Sequence, residues 1–216
     1  KGRHSQGEFL EDYAFLIRGL LDLCETDDAG NHKWLSFATA LADRAAELFI
    51  DDEGSFYLKP DNQSDLIVRP QDEVDGAIPA PGSIMIANLL KLDRMTGEKR
   101  YLTLADKALK AVSGQISRYP GGMTSAILAL DYYLNDKIEI VVVGQGQQRV
   151  KMLDELYRRF IPNKVIAISD DGVEPLPLFE GRQSSNGEVT AYVCRNSVCR
   201  LPASSLEEFK QQLDGI

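Results

Sequence analysis

The chain has 216 residues, 44% apolar and 26% charged, enough for one or two units with a buried core. Its net charge of −9 is uneven: through Asp136 there are 14 Lys and Arg against 22 Asp and Glu, and beyond it 10 against 11. An acidic helical half excludes a nucleic-acid backbone as partner, because that needs clustered Lys and Arg. No run of about 18 apolar residues is available to span a membrane. The opening Lys1-Gly2-Arg3-His4-Ser5 lacks the apolar core of a secretory signal, so the expected location is cytoplasmic. Three cysteines are too few for a disulfide scaffold.

Residues 8–25 have the spacing of a helix with two apolar faces, Phe9, Tyr13, Leu16, Leu20 and Leu23 on one and Leu10, Ala14, Ile17, Leu21 and Cys24 on the next. Such a helix is expected to be covered on more than one side. After a polar turn, Trp34, Ala38, Leu41, Ala45 and Leu48 predict a second helix from Lys33 to Ile50. The period then changes: Phe56-Tyr57-Leu58 and Leu66-Ile67-Val68 flank a polar stretch and read as a β-hairpin with a long loop. Residues 69–83 hold prolines, glycines and clustered carboxylates, which forbid regular structure. Helices are predicted over Ser83–Met95, nearly apolar all round, then Tyr101–Ile116 and Gly122–Leu134. The helical pairs repeat weakly: Leu20-Leu21-Asp22-Leu23 with Leu41-Ala42-Asp43-Arg44-Ala45 returns as Leu89-Leu90-Lys91-Leu92 with Leu104-Ala105-Asp106-Lys107-Ala108. Repeated helical hairpins point to an α/α toroid or a solenoid.

From Lys137 the pattern is that of a small α/β unit. Ile138-Glu139-Ile140-Val141-Val142-Val143 is a β-branched run suited to a buried parallel strand. A helix over Val150–Phe160, amphipathic through Val150, Leu153, Leu156, Tyr157 and Phe160, and a strand Val165–Ile168 complete a βαβ unit. Residues 191–195 and 198–201 form a hairpin closed by Asn196-Ser197, and Ser204-Ser205 caps a last helix. The expected architecture is therefore mainly α: a partial α/α toroid or a solenoid over residues 1–136, then a βαβ-plus-hairpin subdomain over 137–216.

The order Phe9-Leu10-Glu11-Asp12-Tyr13-Ala14-Phe15-Leu16, Asp65-Leu66-Ile67-Val68-Arg69-Pro70, Asp75-Gly76-Ala77-Ile78-Pro79-Ala80-Pro81-Gly82-Ser83 and Ala191-Tyr192-Val193-Cys194-Arg195-Asn196 with Cys199 resembles the YyaL-type, or spermatogenesis-associated protein twenty, family. The likeness is to its C-terminal third. It implies a longer protein in which a thioredoxin-like domain precedes a six-hairpin glycosidase-like toroid related to sugar epimerases. Five helices cannot close a twelve-helix ring, so the resemblance implies a fragment, inactive alone, whose partners are the remainder of the toroid and the thioredoxin-like domain.

Three features carry candidate chemistry. Toroid enzymes work in a funnel at one end of the inner helices, so Asp12 and Asp75, with Glu11 beside them, are the expected acid/base residues acting on a carbohydrate or small polar metabolite. Arg69 is either a binder of an anionic substrate group or a buried partner of Glu73 or Asp75, and Tyr13 would stack on substrate. The bland alternative is that first-turn carboxylates only complement helix dipoles. In the second feature, the Asn196-Ser197 turn sets Cys194 opposite Cys199 as a non-hydrogen-bonded pair, with Cα atoms roughly 4.5–5.5 Å apart and within disulfide reach. A reversible bond there makes a noncatalytic thiol-redox or interaction module the alternative function. Third, Gly144-Gln145-Gly146 starts like a dinucleotide fingerprint, but Arg149 stands where the third glycine belongs. No cofactor and no metal are expected: His4 and His32 lie far from the cysteines in sequence and do not complete a zinc site.

Overall fold

A computed structural model describes residues 7–26, 31–61, 68–172, 176–184 and 187–216. The protein is mainly α with a small mixed sheet, in the order α1 (Leu10–Cys24), α2 (Asn31–Phe49), α3 (Pro81–Thr96), α4 (Lys99–Arg118), α5 (Thr124–Leu134), β1 (Ile138–Val143), α6 (Gln147–Tyr157), β2 (Lys164–Ser169), β3 (Thr190–Arg195), β4 (Val198–Cys199) and α7 (Leu206–Asp214). Two compact units emerge. One holds the described residues of Lys1–Leu21, Ser36–Asp93 and Glu98–Tyr133; the other holds those of Asp22–Leu35, Arg94–Gly97 and Leu134–Ile216.

The first unit is built on helical stripes. On α1, Leu10, Ala14, Ile17, Leu21 and Cys24 recur at steps of four and three and are all buried, whereas Leu16 is 54% and Leu23 43% exposed. The expectation of two covered faces holds only in part: the second stripe buries Leu20 and half-buries Phe9 and Tyr13, and leaves Leu16 and Leu23 outside. Helix α3 matches its prediction, with Met85, Ile86, Leu89, Leu90, Leu92 and Met95 buried. Pro81 opens it, where a missing N–H breaks no helical bond. The buried Asn88 amide donates to the Ala14 carbonyl at 2.8 Å, tying α3 to α1.

Of the hairpin predicted after α2, the described part is Phe56–Leu58 and Val68; Leu66 and Ile67 lie outside the described residues. Phe56 makes a single antiparallel bridge to Ile50. The Leu58 carbonyl accepts from the Leu10 N–H, and the Leu58 N–H donates to the Pro70 carbonyl.

The sheet of the second unit has the order β2-β1-β3-β4, with β1 and β2 parallel and the other pairs antiparallel. Strand β1 is central and buried at every position, as a β-branched run between two layers should be. Ile138, Ile140 and Val142 join Ile166, Ile168, Ala191 and Val193 on one face, packed with Met152 and Leu156 of α6 and Phe209 and Leu213 of α7. The prediction for α6 is corrected here. Of the predicted stripe, Leu156 is buried and Leu153 packs against the core, joined by Met152, while Val150 and, beyond the helix end, Phe160 are 48% and 94% exposed. The i, i+4 pair is what meets the sheet. Helix α7 starts as expected, at a Ser205–Glu208 capping box.

Gly144 lets the chain leave β1. Its φ is +115°, and an added Cβ would stand 2.8 Å from the Val189 Cα. Arg149 donates to the Gly144 carbonyl and pairs with Asp170, closing the turn that imitated a nucleotide motif. Gly144→Ala is expected to lower unfolding stability by ~2 kcal/mol through backbone strain, measured by urea denaturation; an unchanged midpoint would contradict this account of the turn.

Candidate functional site

The face of the sheet opposite α6 and α7 carries polar chemistry in a single row. Antiparallel pairing sets Glu139 of β1 beside Cys194 of β3, and Cys194 beside Cys199 of β4. The sequence predicts this last pair, and the two sulfurs form a disulfide. The Cα atoms are 3.8 Å apart, closer than the spacing expected from the sequence. Register is set by Asn196 and Ser197 at φ +49° and +66°, the left-handed pair of a two-residue reversal whose twist suits a hairpin. Cys194 is 1% exposed. Cys199 lies exposed on the edge strand.

Around this row the structure assembles charge. Glu139 is 3% exposed, and a buried carboxylate needs partners. Its Oε2 meets Arg182 Nη2 at 3.1 Å, and its Oε1 lies 3.7 Å from Arg94 Nη1 and accepts from the Ser197 hydroxyl at 3.1 Å. The same Arg182 Nη2 stands 3.3 Å from Cys199 Sγ, and Nη1 donates to the Leu178 carbonyl. Arg182 is itself buried at 8% exposure. Sequence reading missed Glu139, Arg182 and Arg94. A detectable signal was present: one acid inside the β-branched run 138–143, where both faces are buried.

The carboxylate candidates fall in other settings. Glu11 and Asp12 are exposed in the first turn of α1, where acids complement the helix dipole. Asp75 is half-buried, and both its oxygens accept backbone N–H groups, Oδ1 from Ala80 at 2.9 Å and Oδ2 from Ser125 at 2.7 Å. Burial pushes its pKa up, but the N–H groups of Ala80, Ser125 and Thr124 outweigh that and hold it below the ordinary carboxylate value. It thus ties the loop to the start of α5. Glu73 nearby is the opposite case: burial raises its pKa, and Arg118 only partly offsets this.

Arg69 neither pairs with Glu73 nor with Asp75 in the way the sequence suggests. Its Nε and Nη2 donate to the carbonyls of Lys59 and Leu48 at 2.8 and 2.6 Å, and its guanidinium lies 4.2 Å from the Tyr57 ring centre. The Leu48 carbonyl, at the end of α2, is unsatisfied by the helix, which explains its claim on an arginine. Tyr13 donates to Glu8 at 2.7 Å and packs edge-on against Phe49. Burial first, then Glu8, raises its pKa. Among the described residues, no group of three or more His, Cys, Asp and Glu could hold a metal ion. No helix in them is long and apolar enough to cross a membrane.

No family model matches the chain. It is similar to spermatogenesis-associated protein 20 of Homo sapiens, 32% identical over 95% of this chain, and to the protein of that name from Rattus norvegicus, 31% identical over the same share. An uncharacterised protein of Caenorhabditis elegans is 24% identical over 98% of the chain. The family resemblance carried by the residues quoted above is borne out. The chain spans 27% of the length of the human and rat relatives, and 29% of the nematode one.

Asp75→Asn turns one acceptor oxygen into a donor facing a backbone N–H, and should cost ~1–3 kcal/mol at neutral pH. Because the folded pKa of Asp75 is depressed, its stabilising effect is present above the unfolded carboxylate value of about 4 and is lost as pH falls through the lower folded value. The gap between wild type and variant in urea denaturation should therefore close on acidification; a gap independent of pH would refute the double-cap role.

Proposed function

We propose that the α/β unit is a thiol–disulfide exchange site, with Cys194 and Cys199 cycling between disulfide and dithiol. The observation that carries this reading is the asymmetry of the pair: a buried sulfur joined to an exposed one on an edge strand. An incoming thiolate must reach a sulfur along the S–S axis, and only an accessible sulfur permits that. The polar row behind the pair supports the same reading. A disulfide hairpin does not itself require a buried carboxylate and guanidinium beside it, and such ions are costly to bury unless paired. In the whole protein, this site would exchange with a thioredoxin-like dithiol, the domain implied by the family likeness.

A second reading concerns the helical unit. As an arc of an α/α toroid in a whole protein acting on a carbohydrate or small polar metabolite, it would present Glu11 and Asp12 as acid/base residues. Supporting it are those two exposed acids, and the apolar Phe15, Leu16 and Phe37 left exposed at 36%, 54% and 50%, a surface suited to further helices. Turnover of a sugar panel by the whole protein should fall at least ~100-fold in Asp12→Asn if the acid transfers a proton; unchanged turnover rejects this second reading.

For the exchange site, the native chain holds three cysteines, of which Cys24 is a buried thiol outside the disulfide. Thiol counting after denaturation and trapping should give one thiol in the oxidised protein. It should give three after native-state treatment with dithiothreitol, and one again after glutathione disulfide. A pair that cannot be reduced without unfolding the chain, or that does not re-form, overturns the proposal.

A further inference from the structure

We infer that Arg182 is a positioning residue that holds Cys199 as a thiolate when the disulfide opens, making Cys199 the exchanging sulfur and Cys194 the resolving one. This rests on the exchange reading above and adds a direction to it. Two guanidiniums, Arg182 and Arg94, converge on the one carboxylate of Glu139. The cluster so counted carries one positive charge in excess while the disulfide is closed. Buried charge of one sign favours the arrival of its opposite. The sulfur that Arg182 touches, at 3.3 Å, is Cys199. Opening the bond to leave a thiolate there brings the cluster to neutrality, with a hydrogen-bond donor already aimed at the new anion.

Other charged groups around the hairpin are committed elsewhere. Arg195 pairs with Asp136, and Arg200, next to Cys199 in the chain, donates to the carbonyls of Gln212 and Gly215 at the end of α7. Among the described residues, Arg182 contacts the sulfur of Cys199 from the segment after Phe179, Glu139 of β1 stands beside Cys194 and pairs with Arg182, and Arg94 from the end of α3 lies against Glu139.

The chemistry balances with a low-molecular-weight thiol or a protein dithiol as reductant. A thiolate RS⁻ attacks Cys199 Sγ; the Cys194–Cys199 bond breaks, and its electron pair leaves on Cys194, which takes up the proton lost by the first thiol. A second thiolate attacks the R sulfur of the mixed disulfide. RSSR forms, and the electron pair of the R–Cys199 bond stays on Cys199 beside Arg182. Two electrons pass from two thiols to the protein. A leaving thiolate of lowered pKa departs faster, so Arg182 speeds this second step. In reverse, the Cys199 thiolate attacks a target disulfide and Cys194 resolves the intermediate.

The test is the pH dependence of iodoacetamide alkylation of the reduced chain, read by peptide mapping. Cys199 should be modified before Cys194, with a midpoint below the ordinary thiol value of about 8.5. Since Arg182→Met alone leaves a buried carboxylate, the comparison variant is Glu139→Gln with Arg182→Met, which keeps the net charge of the cluster while removing the donor at sulfur. Its midpoint should rise by about one pH unit or more, and Arg182→Lys should restore part of the shift. A wild-type midpoint at or above 8.5, prior alkylation of Cys194, or identical midpoints in wild type and double variant would each overturn the role of Arg182. The wild-type measurement stands even if the double variant does not fold. These outcomes are separate from the failure of the exchange reading, in which dithiothreitol yields no reversible second and third thiol.

Discussion

A single buried carboxylate on a central strand constrains much of the α/β unit. Glu139 lies in a run whose other members are all aliphatic and buried, and it is paired on both sides by strands. An uncompensated charge there would cost several kcal/mol. Three partners answer it: Arg182 from the irregular segment after Phe179, Arg94 from the last turn of α3, and Ser197 from the hairpin reversal. Each is from a different part of the chain, so satisfying one acid fixes three backbone segments. Arg182 is thereby held against the sulfur of Cys199. The chemistry proposed for the disulfide is a consequence of how that acid is neutralised.

The hairpin register supplies the other half. A one-residue slip would turn the cysteines to opposite faces of the sheet. Asn196 and Ser197 in left-handed conformations prevent it, and Asn196 is also fastened through its side chain to Lys137 N–H and Asp136. Side-chain period then places Glu139, Cys194 and Cys199 on one face while Ile138, Ile140 and Val193 fill the apolar core on the other. Stability and chemistry occupy opposite sides of the same sheet.

Much of this was legible in the amino-acid order because it depends on local rules. Helical spacing marked α1 to α5, the β-branched run marked β1, and a two-residue turn implied the Cys194–Cys199 pairing. What was not legible depends on partners distant in sequence. Arg69 was read against acids a few residues away, but its guanidinium serves the Leu48 and Lys59 carbonyls. Asp75 was read as an acid/base candidate, and its oxygens are taken by the N–H groups of Ala80 and Ser125. The exposed Leu16, Leu23, Val150 and Phe160 show that periodicity identifies a helix without saying which of its apolar positions are covered. Glu139 was visible as an anomaly, yet nothing local named Arg182, 43 residues away, as its partner.

In the proposed function, the Cys194–Cys199 disulfide is one that exchanges. Equilibrating the chain in thiol–disulfide buffers of graded potential and measuring the oxidised fraction by mass spectrometry tests it most directly. Exchange proteins poise their pairs between about −120 and −270 mV, while structural disulfides lie below about −300 mV. The account predicts a midpoint in the first range. A pair still fully oxidised at potentials beyond the second value would contradict it and leave the hairpin bond a structural staple.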